Sequence, residues 1–352
     1  MARFRKLFLV VMVLMLAAAC APQTPSPNRT VLPATLPPAA TLPPTGASLP
    51  SATPPATATH VPTATPVPTQ TSLPSPTATS LGGSSGQLAI SSNRIGPYED
   101  IYLLDIASSR VARLTQADSN FFAGPFSPDG SQILFTSFGL THSYIGLMNV
   151  DGSGQIDLSQ HPDSDEAFPA WSPDGKQIAF TSNRDGNNEV YLMNADGSQQ
   201  KRLTNSPKDD FAPTWSPDGT RIAFVSDRDN RQGVYNLYLM NIDGSGLQRL
   251  TKGDQIDYSP NWSPDGNWIA FRSHQGGPAE IYLIQPDGSG LRNLTENPAE
   301  DWAPTWSPDG KQIAFQTDRD GNWEIYVMNA DGSELRNLTN DPADDQLPYW
   351  RP

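Results

Sequence analysis

Asp301-Trp302-Ala303-Pro304-Thr305-Trp306-Ser307-Pro308-Asp309-Gly310, followed by Lys311-Gln312-Ile313-Ala314-Phe315, is the stretch that decides the fold, because the chain repeats it. Aligned on the aromatic residue before Ser-Pro-Asp-Gly, the copies start at Phe126, Trp171, Trp215, Trp262 and Trp306, and a truncated sixth is Trp350-Arg351-Pro352. The spacings of 45, 44, 47, 44 and 44 residues suit a repeat built from one supersecondary unit per copy.

Each copy runs through four short β-forming segments. Segment A leads into the aromatic residue, as in Ala303 to Trp306. Segment B is brief and apolar, as in Ile178-Ala179-Phe180, Ile222-Ala223-Phe224 and Ile313-Ala314-Phe315. Segment C alternates, as in Glu324-Ile325-Tyr326-Val327-Met328, and segment D ends in Leu-Thr or Leu-Ser at Leu114, Leu158, Leu203, Leu250, Leu294 and Leu338. Runs this short, cut by turn residues, predict strands and exclude helices. Asp-Gly recurs in the A–B link (Asp174-Gly175) and the C–D link (Asp196-Gly197), where a hairpin needs a positive-φ residue.

The two ends settle the count. The first copy opens at segment B, Leu88-Ala89-Ile90, whereas the last is a segment A alone, Gln346 to Trp350. If that last strand joins the first copy, residues 86–352 make an all-β, six-bladed β-propeller of four-stranded blades. Closure by the C-terminal strand, completing blade 1, would pair the ends of a ring that otherwise leaves open edges.

Outside the repeat the composition changes abruptly. Residues 1–20 read as an export signal: Arg3, Arg5 and Lys6, an apolar run from Leu7 to Leu16, and Ala17-Ala18-Ala19-Cys20. The run is too short to span a bilayer as a mature helix. Residues 21–85 hold 16 prolines and 14 threonines with no acid and no aromatic residue, the composition of a disordered tether. Cys20 is the only cysteine, so no intrachain disulfide forms. All 37 acidic residues follow Gly86, against 19 basic ones there. That surplus excludes nucleic acid and anionic lipid as main partners and leaves basic proteins or peptides and divalent metals.

In an up-and-down blade the A–B and C–D turns share one face, and the B–C and D–A loops share the other. The first face is nearly uniform, as turn geometry requires; the second varies. Aligned on the aromatic residue, the position five before it is Phe121, Glu166, Asp210, Asp257, Asp301 and Asp345, and the next is aromatic in Phe122, Phe211, Tyr258 and Trp302. The expectation is an acidic ring at the channel mouth with an aromatic collar, able to attract a basic peptide or hold Ca²⁺ through carboxylate oxygens. The B–C loops add Arg184-Asp185-Gly186, Arg228-Asp229 and Arg319-Asp320-Gly321, whose arginines are expected to pair with nearby acids, while Glu189, Glu280 and Glu324 start the following strands. Two blades depart: blade 5 carries His274-Gln275-Gly276-Gly277 and blade 2 carries Phe138 to Ser143.

Catalytic signals are weak. Gly82-Gly83-Ser84-Ser85-Gly86 matches a hydrolase nucleophile pattern but lacks the strand-to-helix setting the elbow needs. His142, His161 and His274 all map to the variable face, yet His142 and His274 fall on opposite sides of the ring. That placement disfavours a three-histidine metal site.

The segments Trp171-Ser172-Pro173-Asp174-Gly175, Ser226-Asp227-Arg228-Asp229 and Tyr326-Val327-Met328-Asn329-Ala330-Asp331-Gly332 resemble the C-terminal propeller of the TolB family, the periplasmic component of the Tol–Pal envelope system. The resemblance covers residues 86–352. The Thr/Pro segment stands where TolB has an α/β domain, so a TolA contact through that domain is not carried over. Ala17-Ala18-Ala19-Cys20 likewise resembles a bacterial lipobox, which implies lipidation at Cys20. The combined expectation is a non-catalytic, monomeric cell-envelope lipoprotein, extracytoplasmic and touching the membrane only through its anchor. Its propeller would bind an envelope protein or basic peptide. The alternative is a metal-dependent propeller hydrolase or lyase using the same face.

Overall fold

Each repeat folds into one antiparallel sheet of four strands, as the period-two patterning dictates. The structure, a computed structural model, describes residues 86–116, 119–139, 141–229 and 233–352. The export signal, the tether and Cys20 lie outside them. Blade 4 shows the pattern, with strands Asp210–Trp215, Arg221–Ser226, Asn236–Asn241 and Gln248–Arg249 in sequence order across the sheet. Among the described residues there are six such sheets.

The ring closes as the strand count requires. Asp345–Trp350 pairs antiparallel with Gln87–Ser92, in the register Leu88↔Trp350, Ala89↔Tyr349, Ser91↔Gln346 and Ser92↔Asp345. Arg351 extends the seam: its backbone N–H donates to Gln87 O at 2.9 Å, and its guanidinium donates to Gln87 Oε1 at 2.7 Å and to Gly130 O at 3.0 Å. Blade 1 is thus tied to the C-terminus and to the first turn of blade 2 together.

The core lies between blades. The B-strand phenylalanines Phe180, Phe224, Phe271 and Phe315 are fully buried, each contributing about 1.5–3 kcal/mol by leaving water. Trp215 and Trp306 pack against the preceding blade in the same clusters. The Ser-Pro-Asp-Gly turns interlock around the ring, since the Cα of Gly175 faces Pro128 and that of Gly219 faces Pro173. Within a turn Ser172 Oγ donates to Asp174 at 2.7 Å and accepts from Gln177 N at 2.9 Å. This hydrogen bonding holds the Asp174 carboxyl down at about 2.

Segment D differs from expectation. In blades 2 to 6 it is a two-residue strand, such as Arg336–Asn337, that stops just before the Leu-Thr or Leu-Ser pair. The hydroxyl of that pair serves the sheet from outside it. Thr204, Thr251 and Thr339 accept from the C-strand amides of Val190, Leu237 and Ile325 at 2.9, 2.9 and 3.0 Å, and Thr115, Ser159 and Thr295 do the same in the other blades. A short outer strand with a hydroxyl cap leaves little free edge for another polypeptide to join.

The innermost strands are bent. Phe168, Ala212, Ser259, Ala303 and Leu347 have φ of 54, 51, 53, 51 and 52°, a region that non-glycine residues adopt only when their surroundings compel it. Each precedes a proline and lies in a β-bulge where the ladder to strand B skips. Proline costs no ladder hydrogen bond there. The freed amide is used between blades: Ala212 N donates to Thr181 Oγ1 at 3.0 Å and Leu347 N to Gln316 Oε1 at 2.8 Å. These bends direct the strands around a central cavity of about 340 Å³, lined by all six of them.

Candidate binding face

The acid register turns inward. Glu166, Asp210, Asp257, Asp301 and Asp345 open the innermost strands and are all 2% exposed or less. Asp210 accepts from Ser226 Oγ and from Arg228 Nη2, both at 2.5 Å. Glu166 accepts from Ser182 at 2.8 Å and Arg184 at 3.3 Å; Asp301 from Arg319 at 3.1 Å; Asp345 from Arg94 at 2.6 Å. Among the described residues no arginine hydrogen-bonds Asp257; it accepts from Ser273 Oγ at 2.5 Å and Asn236 Nδ2 at 3.1 Å. The carboxylates expected to ring the channel mouth are thus buried and paired inside the protein. An exposed carboxylate would add to the field at the mouth, whereas a buried one needs a partner inside the protein.

The Arg-Asp-Gly loops supply those partners. Arg228 lies over Phe224 at 5.1 Å and Tyr238 at 5.2 Å, and the Tyr238 hydroxyl donates to Asp229 at 2.8 Å. Arg184 and Arg319 repeat the arrangement over Tyr191 and Tyr326, whose hydroxyls donate to Asp185 and Asp320. Burial pushes the Asp210 carboxyl up, while Arg228 and Ser226 pull it back. The expected pairing of loop arginines with nearby acids is what the structure shows.

Blade 2 reveals that these residues act as a unit. Phe121 replaces the acid, Gly139 the arginine and Gly146 the tyrosine. Phe121 then packs on Phe135 at 5.5 Å, and the Phe135 ring fills the space above Gly146, where a Cβ would lie 2.0 Å from it. Acid, arginine and tyrosine disappear together.

Blade 5 breaks the unit differently. Its loop offers exposed Gln275 in place of the arginine, and an arginine appears instead within strand B, at Arg272. That position is Ser91, Thr136, Thr181, Val225 and Gln316 in the other blades. Arg272 is 5% exposed and sits between two collar residues, 4.7 Å from the Tyr258 centroid and 4.2 Å from that of Trp302. Burial pulls its guanidinium down to about 10.

The collar comes together on one side of the ring. Phe168 stacks at 6.1 Å on Phe211, Phe211 at 5.7 Å on Tyr258, and Trp302 at 4.9 Å on Trp323, with Arg272 joining Tyr258 to Trp302. Tyr235 packs against both Phe211 and Tyr258. Phe122 stands apart, edge-on to Phe138. Arg272, Phe168, Tyr235 and Trp323 escaped the sequence reading; comparing strand B across the repeats would have exposed Arg272 as the one charge in its column.

The histidines do not converge. His142 contacts Thr141, His161 contacts Arg184, and His274 contacts Arg272. Among the described residues no three His, Cys, Asp or Glu side chains come together as a metal site, so the ring carboxylates named as Ca²⁺ ligands do not gather around one ion.

Residues 127–237 and 229–300 match the family model of the TolB beta propeller domain. No curated protein matches in sequence. Among solved structures, TolB from Acinetobacter baumannii is similar at 23% identity and a TM-score of 0.65, over 77% of this chain and 68% of that one. A putative TolB from Agrobacterium tumefaciens is similar at 26% identity and a TM-score of 0.60, over 72% and 88%. An oligogalacturonate lyase from Vibrio parahaemolyticus shares the fold at 14% identity and a TM-score of 0.51, over 72% and 74%. Repeat and closure make residues 86–352 a six-bladed β-propeller, and over residues 127–300 it is similar to the TolB beta propeller domain.

Proposed function

We propose that this protein is a non-catalytic binding module that takes a protein or peptide partner on the face of the B–C and D–A loops. The supporting observation is the aromatic arc Phe168–Phe211–Tyr258–Trp302–Trp323, which crosses blades 3 to 6 where the repeats cease to be uniform. Aromatic residues and arginines are the usual anchors of protein contacts; in this arc Phe168 is half-buried, and the other four rings offer a partner only their edges, at 3–7% exposed. The acids Glu166, Asp210, Asp257, Asp301 and Asp345 hold the loops around this arc in shape. Because they are paired internally, the case for a basic peptide no longer rests on them.

The export signal and Cys20 support an extracytoplasmic, lipid-anchored location for the module. Capture from native membranes with the wild-type protein, a Trp302→Leu variant and a Leu291→Ser variant on the uniform face tests the reading. Loss of a co-purifying protein from Trp302→Leu alone supports it. Equal capture by all three, with unchanged melting, refutes it.

A further inference from the structure

Among the described residues the guanidinium of Arg272 has no carboxylate partner. Its polar contact is Nη2 with His274 Nε2 at 3.4 Å, and its buried Nε has no hydrogen-bond partner. Every other arginine at this level of the ring that faces an innermost strand, namely Arg94, Arg184, Arg228 and Arg319, is bonded to an acid. The nearby Glu300 is occupied elsewhere, accepting from Trp302 Nε1 at 3.0 Å and Ala279 N at 3.1 Å. Glu300 and Asp257 attract Arg272 only from a distance; burying a cation with no hydrogen-bonded anion is costly, and cation–π contact with Tyr258 and Trp302 returns only about 0.5–2 kcal/mol. A stacked, pre-oriented guanidinium with free donors matches the planar fork of a carboxylate.

The blade 5 loop places no arginine over this part of the blade. In blades 3, 4 and 6 an arginine side chain lies across this part of the blade; here the loop is exposed Gln275 followed by Gly276 and Gly277. A Cβ at either glycine would meet nothing within 4 Å. His274, half-buried beside Arg272, turns Nε2 to that guanidinium and Nδ1 to Gly277 O at 3.5 Å.

We infer that Arg272 is a carboxylate-binding site on the variable face, receiving an acidic group of the partner with its neighbouring apolar side chain laid on Tyr258 or Trp302. This rests on the binding role proposed above and names the chemistry of the contact. The carboxylate could come from the C-terminus of a polypeptide or from an Asp or Glu side chain.

Three peptides distinguish the sources: acetyl-Leu-Phe with a free C-terminus, the same peptide amidated, and amidated acetyl-Asp-Phe. Binding to the full-length protein is followed by calorimetry and by the Nε–H signal of Arg272 in ¹⁵N-arginine-labelled protein. A C-terminal site binds the first peptide only; a side-chain site binds the third only or both acids. The amide control should bind at least tenfold more weakly in either case, and binding should shift the Arg272 signal. Arg272→Gln copies the residue that blade 6 carries at Gln316, so it should fold, and it should lose at least tenfold in affinity. Arg272→Lys keeps the charge without the fork and serves if the Gln variant melts early. Equal binding of acid and amide peptides by the wild type overturns the inference without any variant, and so does unchanged affinity in Arg272→Gln. Partner capture that depends on Trp302 but not on Arg272 would refute the carboxylate site while leaving the binding role intact.

Discussion

Removing Asp345–Pro352 tests the closure of the ring most directly. The deletion strips Gln87–Ser92 of its inner partner and ends the ladder from Leu88↔Trp350 to Ser92↔Asp345. At about 1 kcal/mol per net hydrogen bond, the ladder together with the Arg351 contacts to Gln87 and Gly130 contributes roughly 5 kcal/mol. Trp350 packs with the cluster around Leu88 and Ile90, and Tyr349 with the cluster around Ala89 and Phe135; their loss removes about 3–6 kcal/mol more. Arg94, half-buried, also loses Asp345 and keeps only the longer contact to Asp341 at 3.8 Å; breaking a buried pair costs up to about 3–5 kcal/mol. The sum is on the order of 10 kcal/mol, comparable with the whole stability of a domain at about 5–15 kcal/mol. The truncated protein should therefore show no cooperative urea transition and should bind a hydrophobic dye. A synthetic peptide of residues 342–352, added in trans, should restore the transition by β-strand addition. A truncated protein that melts cooperatively at the wild-type midpoint would refute the reasoning.

Other outcomes follow from the same geometry. Burial, with Asp344, Asp345 and Asp100 nearby, pushes Glu99 up to about 8 from 4.5. The folded protein thus holds a proton that the unfolded form releases, so this contribution to stability is full below pH 4.5 and is lost as the pH rises through 8. Glu99→Gln should flatten the melting temperature between these limits and raise it by roughly 5 °C at the alkaline end; a profile parallel to wild type contradicts this. Asp210→Ala leaves the half-buried Arg228 without its acid, costing up to about 3–5 kcal/mol. Combining Asp210→Phe with Arg228→Gly, the blade 2 solution of Phe121 and Gly139, should be less damaging than the sum of the single changes by more than about 1 kcal/mol in urea unfolding. Additive effects would show that the pair is not a unit. Finally, Cys20→Ala should abolish labelling by radioactive palmitate and release the protein from the membrane fraction; label retained on the variant would place the lipid elsewhere or exclude it.

The sequence by itself determined the architecture. A period near 44 residues, four β-forming segments per copy and an orphan segment A at Gln346–Trp350 leave one arrangement in which every strand has a partner, because backbone donors and acceptors must be satisfied. It also determined which face varies, since loop sides alternate in an up-and-down blade. The environment of each charge was decided only in three dimensions. Asp210 and Asp257 look alike in the alignment, but one meets Arg228 and the other Asn236. Arg272 lies only two residues before His274, in a strand that reads as ordinary core, and its significance is that among the described residues no acid hydrogen-bonds it. Whether a carboxylate is a ligand or a strut depends on what packs across from it from another strand or blade. Linear periodicity fixes a residue's face but carries no information about that opposing group.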